Sequence, residues 1–197
     1  MRTYVIGLAV SALLLGPLAS AQWVPTNGPY GGDVRCFAVI PASGGAGPPT
    51  VYVGTYCGGV FRSTDDGTSW TAANTGLTHP AVNALAVNAA DGAAGIPTLF
   101  AGTCGGVFRS TDGGASWAEA SSGIMNPDTR SLVVSPDPYG TGVNHILAGT
   151  AGGGVYLSTD NGTSWVAAGV TDACLTSMVA SGTTLLAGEP SPTSGGG

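Results

Sequence analysis

Ser63-Thr64-Asp65-Asp66-Gly67-Thr68-Ser69-Trp70 recurs as Ser110-Thr111-Asp112-Gly113-Gly114-Ala115-Ser116-Trp117, and again as Ser158-Thr159-Asp160-Asn161-Gly162-Thr163-Ser164-Trp165. The tryptophans lie 47 and then 48 residues apart. A fixed period of that size signals stacked supersecondary units, and about 40–50 residues per unit is the range of propeller blades.

Each part of the octet has a physical task. Asp followed two residues later by Gly is turn chemistry: the carboxylate accepts nearby backbone N–H groups, and Gly takes the positive φ of a tight reversal. Ser and Thr hydroxyls satisfy further turn amides. The Trp opens the next strand, offers a large apolar plate to cover the hairpin, and needs one acceptor for its indole N–H.

The pattern Ser-x-Asp-x-Gly-x-x-Trp resembles the Asp-box, or BNR repeat, of sialidases, xyloglucanase-type glycoside hydrolases, sortilin-like receptors and photosystem assembly factor propellers. Three copies hold both motif and spacing, and the resemblance covers nearly the whole mature chain. It implies an all-β propeller in which the octet is the turn between the third and fourth strands of a blade, away from the substrate face. On that reading Ser63, Asp65, Gly67 and Trp70, Ser110, Asp112, Gly114 and Trp117, and Ser158, Asp160, Gly162 and Trp165 are structural, not catalytic.

The other strands of a unit sit before each octet. Short, mostly apolar runs at 34–39, 82–87, 129–134 and 175–180 suit an innermost strand buried on both sides. A second strand follows at 50–54, 98–102, 145–149 and 184–188, then a Gly-rich turn, then Val60-Phe61-Arg62, Val107-Phe108-Arg109 or Val155-Tyr156-Leu157. Four strands per repeat make a propeller blade.

Residues 1–21 read as a secretory signal: Arg2, an apolar core at 4–15, and Ala19-Ser20-Ala21 before a cleavage site. The mature chain then starts at Gln22 and is secreted or periplasmic, with no membrane span. Residues 22–188 form the propeller segment, and the Pro/Ser/Gly-rich 189–197 reads as linker. Trp23 lies 47 residues before Trp70, so the mature chain opens on a fourth strand, and its repeat stops after a second one. The repeat count is a lone strand, three full blades and half a blade. Either the propeller is truncated, or the lone strand completes the last blade, or several chains close a ring together.

Composition suits such a protein, with 34 Gly, 13 Pro and only 8% charged residues. Lysine is absent, and the mature chain sets four arginines against 11 acids, a net charge of −7. No basic patch exists to neutralise phosphates, which argues against nucleic acid.

Candidate chemistry is sparse. Cys36, Cys57, Cys104 and Cys174 allow three disulfide pairings, and no Cys/His spacing suits zinc. His79 and His145 lack a Gly-x-Ser-x-Gly elbow beside them. Sialidase chemistry, on the resemblance, needs three arginines; Arg62 and Arg109 are repeat equivalents that look structural, which leaves Arg35 and Arg130. Xyloglucanase-type enzymes use paired Asp residues across a cleft between two propellers, and one incomplete propeller does not supply it. No catalytic residue, cofactor or metal is assigned. A binding face, if present, is the side of the inter-blade loops and Gly-rich turns, where Tyr30, Asp33, Tyr56, His79, Met125, Asn126 and Asp128 lie. The leading expectation is an exported, non-catalytic scaffold or binding module for polysaccharide or protein, within a longer propeller. The alternatives are a fragment of a sialidase-like or xyloglucanase-like glycoside hydrolase without its catalytic residues, and a self-assembling extracellular protein that closes its ring between chains.

Overall fold

The computed structural model describes residues 28–29, 33–42, 47–89, 96–135, 144–169, 175–181 and 184–188. The proposed signal, Trp23, Tyr30, Cys174 and the tail lie outside the described residues. Strands β1 (Val34–Ile40), β2 (Thr50–Thr55), β3 (Gly59–Ser63) and β4 (Thr71–Ala72) pair in chain order as one antiparallel sheet. Strands β5 (Val82–Asn88), β6 (Thr98–Thr103), β7 (Gly106–Ser110) and β8 (Ala118–Glu119) repeat it. Strands β9 (Thr129–Ser135), β10 (His145–Thr150), β11 (Gly154–Ser158) and β12 (Val166–Ala167) repeat it again. A two-stranded sheet, β13 (Ser177–Ser181) and β14 (Thr184–Gly188), follows. Among the described residues there is no helix, and so none long and apolar enough to cross a membrane. The fold is all-β, built from four-stranded blades of a β-propeller.

Strand β1 packs on β5, β5 on β9, and β9 on β13, so the first strand of each sheet lines the inner edge. Middle blades are covered on both faces, which is why every residue of β6 is buried. Strand β1 departs from the expected double burial: Arg35, Phe37 and Val39 are exposed, because no described blade lies on that side. The fourth strands are two residues long and begin just after each Trp rather than on it.

The core is a series of seams between blades. Ala38, Tyr52 and Val60 of the first blade meet Val82, Leu85, Leu99, Ala101, Phe108 and Trp117 of the second. Ala84, Ala86, Phe100 and Val107 of the second meet Leu132, Ile146, Ala148, Tyr156 and Trp165 of the third. Gly102 shows how close the blades come: a Cβ there would lie 2.8 Å from Thr129 Cγ2 of the next innermost strand.

The octet turns are near copies of one another. Ser63 Oγ donates to Asp65 Oδ1 at 2.8 Å and accepts Gly67 N–H at 2.9 Å. Ser69 N–H donates to Asp65 Oδ1 at 2.9 Å, and Ser69 Oγ donates to Oδ2 at 2.6 Å. In the second copy the same four bonds measure 2.7, 2.9, 2.9 and 2.5 Å. In the third they measure 2.8, 2.9, 2.9 and 2.5 Å. Gly114 takes φ +81°, and a Cβ there would come within 2.9 Å of Tyr52 Cε1 in the preceding blade. The Tyr52 hydroxyl also donates to Gly113 O at 2.7 Å.

The tryptophans reach further than a cap on their own hairpin. Trp117 Nε1 donates to Ala73 O at 2.8 Å, and Trp117 N–H to Thr75 O at 2.8 Å, both in the first blade. Trp165 Nε1 donates to Ala120 O at 2.7 Å, and its N–H to Ser122 O at 2.9 Å, both in the second. Trp117 and Trp165 therefore each fasten their blade to the one before it.

Candidate functional site

The end of the blades opposite the octets is built from bulges. Pairing of the innermost strands skips Arg35 between Val34 and Cys36, Asn83 between Val82 and Ala84, and Arg130 between Thr129 and Ser131. A bulge adds one unpaired residue, bends the strand and re-aims its side chain. The segment before each bulge is tied to the neighbouring Gly-rich turn. Tyr56 N–H donates to Asp33 O at 2.9 Å, Cys104 N–H to Ala81 O at 3.3 Å, and Ala151 N–H to Asp128 O at 2.9 Å. One polar side chain per blade thus sits at the same place on one face.

Those three side chains do different things. The Arg35 guanidinium lies over the Tyr56 ring, 4.3 Å from its centroid, a cation–π contact that holds the ring in place. Tyr56 remains 45% exposed. Asn83 Nδ2 donates to Thr129 O of the next blade at 3.1 Å. Arg130 grips Asp128 with two parallel bonds, Nε to Oδ1 at 2.9 Å and Nη2 to Oδ2 at 2.7 Å.

The sequence-predicted face residues divide accordingly. Asp33 and Tyr56 come together beside Arg35 through the backbone bond above. His79 leans across Gly105 of the next blade, where a Cβ would fall 2.3 Å from the imidazole, and its ring lies 6.0 Å from that of Phe108. Asn126 closes its loop: Nδ2 donates to Ala151 O at 2.5 Å, and Oδ1 accepts Asp128 N–H at 3.2 Å. Asp128 has both carboxylate oxygens engaged by Arg130. Met125 is the most exposed apolar side chain there. Arg35, Asn83 and Arg130 as a repeated set escaped the sequence reading. The signal was present: each is a polar residue at one repeat position inside an otherwise apolar innermost strand.

Cys36, Cys57 and Cys104 are free thiols. Burial pushes the Cys36 thiol up to about 12, partly offset by a hydrogen bond with the Gly54 backbone, so it stays protonated and inert. Among the described residues no group of His, Cys, Asp and Glu gathers as metal ligands.

No protein-family model matches the chain, and no curated protein matches it. Solved structures do. An ancestral GH74 enzyme is 26% identical with a TM-score of 0.59, over 86% of this chain and 23% of that one. The GH74 enzyme of Niastella koreensis is 24% identical with a TM-score of 0.56, over 79% of this chain and 26% of that one. The GH74 xyloglucanase from Xanthomonas campestris is 21% identical with a TM-score of 0.50, over 74% of this chain and 25% of that one. The chain spans about a quarter of the length of these enzymes.

Proposed function

We propose that this chain is a propeller portion of a xyloglucanase-type, Asp-box glycoside hydrolase, and that its own part is to hold polysaccharide on the loop face. The likeness to the ancestral GH74 enzyme across most of the chain carries the reading. The Tyr56 ring supports it: an exposed aromatic plate, fixed by Arg35, gives a sugar ring an apolar face to stack on. Glycoside hydrolysis needs two carboxyl groups flanking the scissile bond. With Asp128 paired to Arg130, the described loop face does not offer a free pair. The octet turns serve the fold. The protein acts outside the cytoplasm, where such substrates occur.

Affinity electrophoresis tests this. Migration of the purified protein should slow in gels containing xyloglucan, Tyr56→Ala should run as in a plain gel, and no reducing ends should appear on incubation. Equal retardation of Tyr56→Ala and wild type, or hydrolysis by this chain alone, would contradict it.

A further inference from the structure

The first and third blades carry the same acid–arginine pair and use it differently. Asp33 precedes the bulge that presents Arg35, as Asp128 precedes the bulge that presents Arg130. The backbone carbonyl of each acid accepts the N–H of the residue that follows the second strand: Tyr56 in the first blade and Ala151 in the third, both at 2.9 Å. Tyr56 and Ala151 therefore hold one repeat position, and only the first of them has a ring.

That ring decides where the guanidinium goes. Beside Ala151, Arg130 takes both oxygens of Asp128, at 2.9 and 2.7 Å. Beside Tyr56, Arg35 lies over the ring instead, 4.3 Å from its centroid. Among the described residues the Asp33 carboxylate is then left with no hydrogen bond and no ion pair. Asp33 is exposed, and its backbone bond to Tyr56 keeps it beside the ring. A carboxylate is an acceptor only, with about four lone-pair sites to fill. An exposed aromatic plate and an unfilled acceptor thus stand side by side in the first blade, where the third has a closed ion pair and no plate.

We infer that Asp33 orients the ligand at Tyr56: its carboxylate accepts a pair of adjacent hydroxyls from a neutral saccharide stacked on the ring. This rests on the reading of Tyr56 as a stacking plate. Stacking alone holds a sugar ring without fixing its rotation, and a few placed polar groups supply orientation and specificity. Sugar hydroxyls are donors, and hydrogen bonds to an ionised acceptor are roughly twice as strong as neutral ones. An anionic sugar would instead set like charge against Asp33. Tyr56 has two tasks on this account: it offers the plate, and it keeps Arg35 off the acceptor.

Affinity electrophoresis in xyloglucan gels tests it, with each variant scaled to its own mobility in a plain gel. Asp33→Ala should bind at least about tenfold more weakly than wild type. Asp33→Asn, which keeps one acceptor oxygen, should fall between the two. Glu119→Ala makes the same charge change on the exposed edge strand β8 and should bind as wild type does. Asp33 is exposed, so folding should survive; circular dichroism checks this, and the isosteric Asp33→Asn carries the test if Asp33→Ala does not fold. Equal retardation of Asp33→Ala and wild type, with Tyr56→Ala not retarded, overturns the role of Asp33 and leaves the stacking plate standing. Tyr56→Ala retarded as wild type, or a wild type that is not retarded at all, overturns both.

Discussion

The octet end of each blade and the loop end were built by the same repeat and have fared differently. Matching octet hydrogen bonds agree to within 0.1 Å across three copies. At the loop end equivalent residues have parted ways: Arg35 on an aromatic ring, Asn83 on a neighbouring backbone, Arg130 on a carboxylate. Uniformity on one face is what a shared packing task demands of every blade. Divergence on the other is what one ligand, touching each blade at a different point, allows. The octets therefore carry the packing shared by every blade, whereas the bulge-borne residues make a different contact in each.

The largest break in that comparison comes from the tryptophans. Trp117→Ala should cost about 3–5 kcal/mol, because it empties a buried aromatic site. It also leaves the Ala73 carbonyl, at 2.8 Å from Nε1 in the wild type, without its donor. Trp70→Ala should cost clearly less, since Trp70 is only half-buried and its Nε1 bonds to nothing. Urea unfolding of both variants checks the order; equal losses would mean that the seam does not carry the difference.

Next in size is Gly114→Ala. The added methyl meets Tyr52 Cε1 at 2.9 Å from a backbone at φ +81°, so about 1–3 kcal/mol should be lost to overpacking and strain. Its thermal midpoint should drop, while Gly105→Ala on the loop face should instead displace the His79 ring.

The smallest effect is acid sensitivity of the octets. Hydrogen bonds from the Ser116 hydroxyl and amide hold Asp112 down at about 2. The Ser69 hydroxyl and amide likewise lower Asp65. At Asp160 partial burial works upward but is outweighed by bonds from Ser164 and Ser158. In the unfolded chain these groups titrate near about 3.9. The unfolded state thus takes up protons first as pH falls, so the octet contribution is complete above about pH 4 and fades toward pH 2. The carboxylates are exposed, and solvent keeps the effect modest. The thermal midpoint should decline over that window, less steeply in Asp112→Asn. A midpoint equally pH-dependent in both proteins would remove Asp112 from the account.

Much of the fold was legible because a period of 47–48 residues is written directly in Trp70, Trp117 and Trp165. The innermost strands at 34–39, 82–87 and 129–134 end one residue later in the structure, and the fourth starts at Ser177 rather than 175. What stayed hidden lies between blades. Trp117 reaching back to Ala73, and His79 lying over Gly105, depend on how far one sheet rotates on the next, which spacing along the chain does not encode. Bulges at Arg35, Asn83 and Arg130 follow from register, not from local preference. Asn126 and Asp128 looked like ligand groups because short polar residues in loops serve turns and binding alike.

The measurement that bears most directly on the division of labour sets Asp112→Ala beside Tyr56→Ala, each assayed for thermal midpoint and for retardation by xyloglucan. Asp112 is exposed, so losing its carboxylate should cost only about 1 kcal/mol through the octet amide and hydroxyls it accepts. Asp112→Ala should be less stable and fully retarded, and Tyr56→Ala should be as stable as wild type and not retarded. Loss of retardation in a folded Asp112→Ala, with Tyr56→Ala still retarded, would place recognition on the octet face and contradict that division.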